Sequence, residues 1–157
     1  MIVEKYAQHA YTENESNPFL KGIEVKHSPK LKIVSDLRKV ETDFGEKLYI
    51  DVELEEGNPS KTDLHEYKWN YFDGAEWVEN GFEQDQIEAR YNRKRFTYTP
   101  NKTSFNTMID LLGDNTSTWI GKTIVCRVER RIVTPQAVKD LELDGMPMDT
   151  IMVEGVN

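Results

Sequence analysis

Residues 99–133 read TPNKTSFNTMIDLLGDNTSTWIGKTIVCRVERRIV, and the reading of the fold turns on them. Phe105, Met108, Ile109 and Leu112 recur at i, i+3, i+4 and i+7, one apolar stripe at the helical period. Thr103 is the predicted N-cap, because its hydroxyl can accept from an orphan amide of the first turn. Pro100 disfavours helix at Thr99 and bounds the start. Gly113 can take the left-handed backbone that closes a helix. Residues 114–118 read as loop. Past Trp119-Ile120-Gly121-Lys122, Ile124, Cys126 and Val128 alternate with Val125, Arg127 and Glu129, the pattern of a strand with one buried face. A short helix feeding a strand, with strands before it, is the order expected of a small closed barrel.

Upstream, residues 31–40 form a predicted strand with Ile33, Val34 and Leu37 available for burial, and Thr42-Asp43-Phe44-Gly45 is a turn. Leu48, Ile50, Val52 and Leu54 then alternate with Tyr49, Asp51, Glu53 and Glu55, a half-buried antiparallel strand with an acidic outer face. Residues 56–60 end it. Tyr67, Trp69 and Tyr71 share one face, and Asp73-Gly74 is a tight-turn pair leading to Trp77, Val78 and Phe82, so a second hairpin is predicted. Residues 83–91 have weak helical character, and residues 95–99 make a short strand. Downstream, Thr134-Pro135 breaks the strand, and Ala137, Val138 and Leu141 suggest a short helix or loop. Gly145-Met146-Pro147 turns, and residues 149–154 place Ile151 and Val153 on one face of a last strand. The sum is a mostly β chain: an OB-fold-like five-stranded barrel with one helix between strands three and four. Residues 1–30 form an N-terminal arm with scattered apolar anchors Tyr6, Tyr11, Phe19 and Leu20. Residues 31–157 form a single domain with a hairpin inserted at about 65–91.

A chain of 157 residues can bury a core without disulfides, and its one cysteine, Cys126, reads as a buried apolar residue in a reducing compartment. No secretory leader or membrane-length apolar run is visible, so a soluble cytoplasmic protein is expected. His9, His27 and His65 lie in different segments without metal-ligand spacing. No Gly-rich phosphate loop, nucleophile elbow or HExxH occurs. Ser104 and Ser117 have no base partner, and Glu53, Glu55 and Glu56 fit a solvated strand edge. The reading therefore assigns no catalytic residue, metal or cofactor. Net charge is −8, yet residues 89–139 hold ten of the twenty Lys and Arg and three acids, a local +7 against −15 elsewhere. Such asymmetry lets one face attract phosphate while the rest repels it.

The stretch with chemical content is Arg90-Tyr91-Asn92-Arg93-Lys94-Arg95-Phe96-Thr97-Tyr98, four cations and three aromatics in nine residues. Tyr67-Lys68-Trp69-Asn70-Tyr71 is a smaller version. Single-stranded nucleic acid needs cations that follow the phosphates and rings that stack on bases. The expected contacts are Tyr67, Lys68, Trp69, Tyr71, Arg90, Tyr91, Arg93, Lys94, Arg95, Phe96 and Tyr98, with Lys102 and Lys122 at the edges. The competing reading makes Phe96 and Tyr98 core residues and Tyr67, Trp69 and Tyr71 the inward face of a hairpin. Three adjacent cations, Arg93-Lys94-Arg95, cannot all be buried.

Asn101-Lys102-Thr103 before the helix, Gly113-Asp114 after it, and Trp119-Ile120-Gly121-Lys122 into the strand resemble the motifs of small phage- and plasmid-borne OB-like proteins. The resemblance covers residues 100–153, about a third of the chain, and its motifs are structural. It implies an accessory factor of DNA replication or recombination. The insertion and the arm depart from the compact family pattern. The expected partner is single-stranded DNA, with RNA as the variant, and a homodimer is left open. The other reading is an acidic interaction or inhibitor module that docks on a replication or host protein. Trp119 is expected as the buried plug of the barrel end.

Overall fold

The computed structural model describes residues 17–42 and 45–157. Tyr6, His9 and Tyr11 of the expected arm, and Asp43 and Phe44 of the expected turn, lie outside the described residues. The elements are α1 (Gly22–His27), β1 (Lys30–Ile33), β2 (Arg38–Thr42), β3 (Gly45–Leu54), α2 (Lys61–Glu66), β4 (Lys68–Phe72), β5 (Trp77–Gly81) and α3 (Gln84–Arg90). They continue as β6 (Arg95–Tyr98), α4 (Lys102–Leu112), a 3-10 turn (Thr116–Trp119), β7 (Thr123–Val133), α5 (Gln136–Asp140) and β8 (Met146–Val156).

The apolar stripe on residues 105–112 does form a helix, α4, that lays Met108 in the core with Phe105, Ile109 and Leu112 packed against it. Its cap is Asn101, not Thr103: the Asn101 side chain accepts from the Ser104 amide at 2.8 Å. Asn101 directly follows Pro100 and has extended backbone, so the helix starts two residues earlier than a Thr103 cap allows. Gly113 ends the helix at φ +90°, where a side chain would be strained. Trp119 is fully buried, and its indole nitrogen donates to the Gly113 carbonyl at 2.9 Å. That bond ties the end of the helix to the start of β7, and the residue is packing, as expected.

The described chain is mostly β, and its six-stranded sheet is antiparallel. β3 pairs with β6 on one side and with β1 and β2 on the other; β1 pairs with β7, and β7 with β8. The expected single strand over residues 31–40 is broken into β1 and β2. At the break the Ser35 hydroxyl accepts from the Asp51 amide at 2.9 Å, and the Asp36 carboxylate accepts from the Leu37 amide at 2.7 Å. Side-chain acceptors of this kind replace ladder bonds and bend the chain. Leu31, Ile33, Ile50, Val52, Leu54, Phe96, Ile124 and Cys126 line the concave side of the sheet and form one core with α4 and Trp119.

Among the described residues no ladder joins β6 to β8, so the hydrogen bonds do not show a closed barrel. The free edge of β6 is taken by the arm instead. Thr97 donates to the Pro18 carbonyl at 2.9 Å, and Leu20 donates to the Thr97 carbonyl at 2.8 Å. The bridge occupies the amide and carbonyl of Thr97, in the middle of the edge a closing strand would use. One side-chain bond does cross the seam: the Tyr98 hydroxyl donates to the Ile151 carbonyl at 3.1 Å.

Between β3 and β6 the chain leaves the sheet for a larger excursion than the expected hairpin. It holds α2, the β4–β5 hairpin and α3. α2 escaped the sequence reading, although Ser60 and Asp63 form a reciprocal capping box that the spacing announces. Leu64 and Ile87 from the excursion bury Ile23 of α1 in a second, smaller core, with Tyr67 and Phe82 against it. α1 thus serves both cores, since its Val25 belongs to the main one. The last strand is longer than expected. β8 runs from Met146 through Val156 in a ladder with β7, and Gly145 alone remains as turn.

Candidate nucleic-acid interface

The convex face of β3 and β6 carries the residues that the buried alternation leaves over. Cross-strand partners share a face. Lys32 stands opposite Glu53 and Glu53 opposite Arg95, Asp51 stands opposite Thr97, and Arg38 stands opposite Tyr49. Two of the three carboxylates foreseen for this face are held by arginine, while Glu55, one residue past β3, is exposed and accepts from the Thr123 hydroxyl at 3.0 Å. Arg38 grips Asp51 through two bonds of 3.0 Å each, a fork on a carboxylate. Arg95 holds Glu53 at 2.7 Å. Burial pushes the Asp51 carboxyl up, but hydrogen bonds from Arg38 and Thr97 outweigh it and hold the group below the usual range. Asp51 and Glu53 of the acidic outer face foreseen for this strand are therefore neutralised by arginines from the two neighbouring strands, and Glu55 is not.

A ring pair borders the same face. Phe19, 49% exposed, meets Tyr49 edge-on with centroids 5.3 Å apart. Phe19 is set there by the ladder of residues 18–20 on β6, and its ring turns out because Leu20 turns in. Neither residue was singled out from the sequence as a contact. Tyr49 had a visible signal, an aromatic at an outward position of an alternating strand; Phe19 had none.

At the head of β6, Lys94 is exposed and forms no ion pair among the described residues. Arg93 donates to the Arg95 carbonyl at 3.0 Å and to Asn17 at 2.9 Å, which fixes its guanidinium beside the arm. The Asn58 amide bonds the Arg93 carbonyl and ties this turn to the end of β3. Arg93 is half-buried and Lys94 and Arg95 are exposed, at the end of β6 that leads to the Phe19 bridge at Thr97.

Several expected contacts are elsewhere. Phe96 and Tyr98 are core residues, 0% and 3% exposed, and cannot stack on a base. Thr97 between them is buried too, because the arm covers the other side of β6. Arg90 is 6% exposed and bonds Glu24 at 2.6 Å, so it is withdrawn from any phosphate. Its position three residues after Ile87 puts both on the buried side of α3. Tyr67 spends its hydroxyl on Asp149 at 2.9 Å, and burial pushes that hydroxyl's pKa up. Trp69 is sandwiched, with the Lys21 ammonium 4.4 Å over its ring and Phe82 at 4.8 Å. Lys68 and Tyr71 are exposed on the hairpin, and Tyr91 packs under the Lys61 ammonium at 4.3 Å. Lys102 and Lys122 are exposed at the start of α4 and before β7. No contact among the described residues gathers them with the Arg93–Arg95 turn.

Among the described residues no cluster of His, Cys, Asp and Glu could hold a metal ion, and no helix is long and apolar enough to cross a membrane. Cys126 is buried, and burial pushes its thiol up to about 12. Comparisons with protein-family models, with curated proteins and with solved structures found no match for this chain.

Proposed function

We propose that the chain is a non-enzymatic protein that binds single-stranded DNA across the convex face of β3 and β6, on an OB-type barrel. The barrel reading draws on the strand order. β1 with β2, β3 and β6, then α4, then β7 and β8 follow the OB sequence of three strands, a helix and two strands. β1 pairs with both β3 and β7, and the Tyr98–Ile151 bond spans the remaining seam. The resemblance of residues 100–153 to phage- and plasmid-borne OB-like proteins supports a role in DNA replication or recombination, which we take to be cytoplasmic.

One observation carries the binding reading. Exposed Phe19 and half-buried Tyr49 form a ring pair on a face where Asp51 and Glu53 are held by Arg38 and Arg95, and Phe19 bridges β6 at Thr97, three residues on from exposed Lys94. Rings on such a face stack on bases at about 1–3 kcal/mol each, and the cations follow the phosphates. Fluorescence anisotropy with labelled oligo-dT tests it. Binding is expected at micromolar or tighter affinity in low salt, with log K falling by about 0.7 per neutralised phosphate as log salt rises. Phe19→Ala should weaken binding, and Arg93, Lys94 and Arg95 changed together to Ala should reduce the salt slope. No binding at low salt refutes the proposal; RNA and duplex DNA in the same series establish the preference.

A second reading is favoured by the far hairpin. Ile132, Leu141 and Leu143 are 67%, 51% and 42% exposed, and Asp140, Glu142 and Asp144 interleave with the two leucines. An acidic loop with exposed leucines suits docking on a basic protein. A host partner retained after nuclease treatment, and lost in Leu141→Asp, supports that role.

A further inference from the structure

A half-open cleft lies away from the sheet face, where the excursion leans on the main core. It encloses about 260 Å³ between the Leu20–Gly22 run, the start of β4, the β6–α4 junction and β8. Its walls include the rings of Tyr67 and Trp69 and the side chains of Met148 and Ile151. Three groups on it are underused.

Lys21 places its ammonium over Trp69 at 4.4 Å, and no carboxylate lies within 4.0 Å of it among the described residues. The charges facing the cleft are unequal. Asp149 is its carboxylate and already accepts from Tyr67, with Lys26 at 3.8 Å and Arg130 at 3.3 Å. Glu24, the acid nearest Lys21 along the chain, gives one oxygen to Arg90 and keeps the other without a partner, and its pull on Lys21 is outweighed by burial and by the Arg90 charge. Asn101 is the third element. Its side-chain oxygen caps α4, while its amide nitrogen donates only to the Met152 sulfur at 3.3 Å, a weak acceptor.

A half-buried cation with no carboxylate in ion-pair contact, an amide donor held only by sulfur and two aromatic residues converge on one kind of occupant. It is anionic at one end and planar and rich in acceptors at the other. The cleft is smaller than the about 300–1,000 Å³ of sites for drug-sized ligands, which limits the occupant to one nucleotide rather than a run of them. We propose that this cleft binds a single nucleotide monophosphate, with its phosphate on Lys21 and its ring against Tyr67 and the edge of Trp69, in reach of the Asn101 amide. Burial and the nearby Arg90 charge lower the Lys21 ammonium's pKa, and an anion seated beside it relieves both effects. The site shares no residue with the ring pair or the Arg93–Arg95 turn, so it stands whether or not the sheet face binds DNA.

Two-dimensional NMR of the full chain, titrated with dTMP, tests the proposal. Millimolar or tighter dTMP should shift the Trp69 indole and the Asn101 side-chain amide, leaving the Trp119 indole in place. Lys21→Gln should weaken dTMP at least tenfold, and Lys21→Arg should restore most of it. Lys94→Ala should leave it unchanged. Thymidine should bind far more weakly than dTMP. Oligo-dT carrying a 5′-phosphate that outcompetes unphosphorylated oligo-dT identifies a strand end as the source; equal competition identifies the free nucleotide. Absence of cleft shifts, or Lys21→Gln with unchanged affinity, overturns the site. Inorganic phosphate binding as tightly as dTMP overturns the nucleotide assignment. Loss of oligo-dT binding at the sheet face, with dTMP binding intact, refutes the sheet-face reading alone.

Discussion

Changing Arg90 to Met should cost the fold more than any surface substitution. Glu24 is 0% exposed and Arg90 6% exposed, so the pair sits in the seam between α1 and the excursion. Arg90 gives one nitrogen to Glu24 at 2.6 Å and to the Phe19 carbonyl at 2.8 Å, and its guanidinium lies 4.6 Å from the Phe82 ring centre. The other Glu24 oxygen and the Arg90 Nε have no partner. Removing the guanidinium leaves a buried carboxylate uncompensated, at about 3–5 kcal/mol, and an orphaned Phe19 carbonyl at about 1 kcal/mol. For a chain of this size each kcal/mol moves Tm by about 2–4 °C, so Arg90→Met should lower Tm by about 10–20 °C. Replacing both partners, Glu24→Met with Arg90→Met, removes the charge and should recover most of the loss. The pH response supplies a second readout. Burial pushes the Glu24 carboxyl up, against the pull of Arg90. Without Arg90 the folded pKa rises further above the unfolded value of about 4.3. The folded state then holds a proton that the unfolded state releases, so the variant should gain stability on acidification and lose it as pH rises through the folded pKa. Urea titrations of the two singles and the double, at pH 5 and pH 8, measure the cycle. A single-variant loss below about 1 kcal/mol, or a double variant no better than the singles, refutes the reasoning, since a charge pair that mattered would show coupling.

Other outcomes follow from single contacts. Asp51 is held below the ordinary carboxylate range, so its contribution is present above the unfolded pKa of about 3.9 and lost as pH falls through the folded value. Asp51→Asn should flatten the acid limb of a stability-versus-pH curve. Asn101→Ala should cost about 1 kcal/mol by removing the cap of α4, whereas Thr103→Ala should be near neutral in the same urea titration. Cys126, with its thiol pushed up to about 12, should resist a thiol-specific chromophore in the native chain and react only on unfolding.

How far the sequence carries depends on the range of the interaction. The stripe on residues 105–112 and the alternations on residues 48–54 and 124–128 each encode one buried face. Periodicity is local, so α4, β3 and β7 were legible. The cap was misread by two residues because Asn101 and Thr103 carry equivalent acceptors, and the backbone at Pro100 chooses between them. The Ser60–Asp63 box for α2 was present and overlooked.

The candidate site was less legible. Interleaved rings and cations between residues 90 and 98 indicated a surface for nucleic acid, yet the fold removes Arg90, Phe96 and Tyr98 from that surface. A period of two says that Phe96 and Tyr98 share a face, not which side of the sheet that face meets. Arg90 is consumed by a glutamate 66 residues away, a partner that no local pattern specifies. Phe19 and Tyr49 come together only because the arm adds to the edge of β6.

The sequence by itself determined the buried faces of α4, β3 and β7, the single cysteine, and the run of three cations at residues 93–95 that cannot all be buried. Tertiary structure alone decided which rings face solvent, how the acids of β3 are neutralised, and that the edge of β6 is filled by the arm. Those outcomes depend on contacts between distant segments, whose closure the chain settles only when the whole core packs.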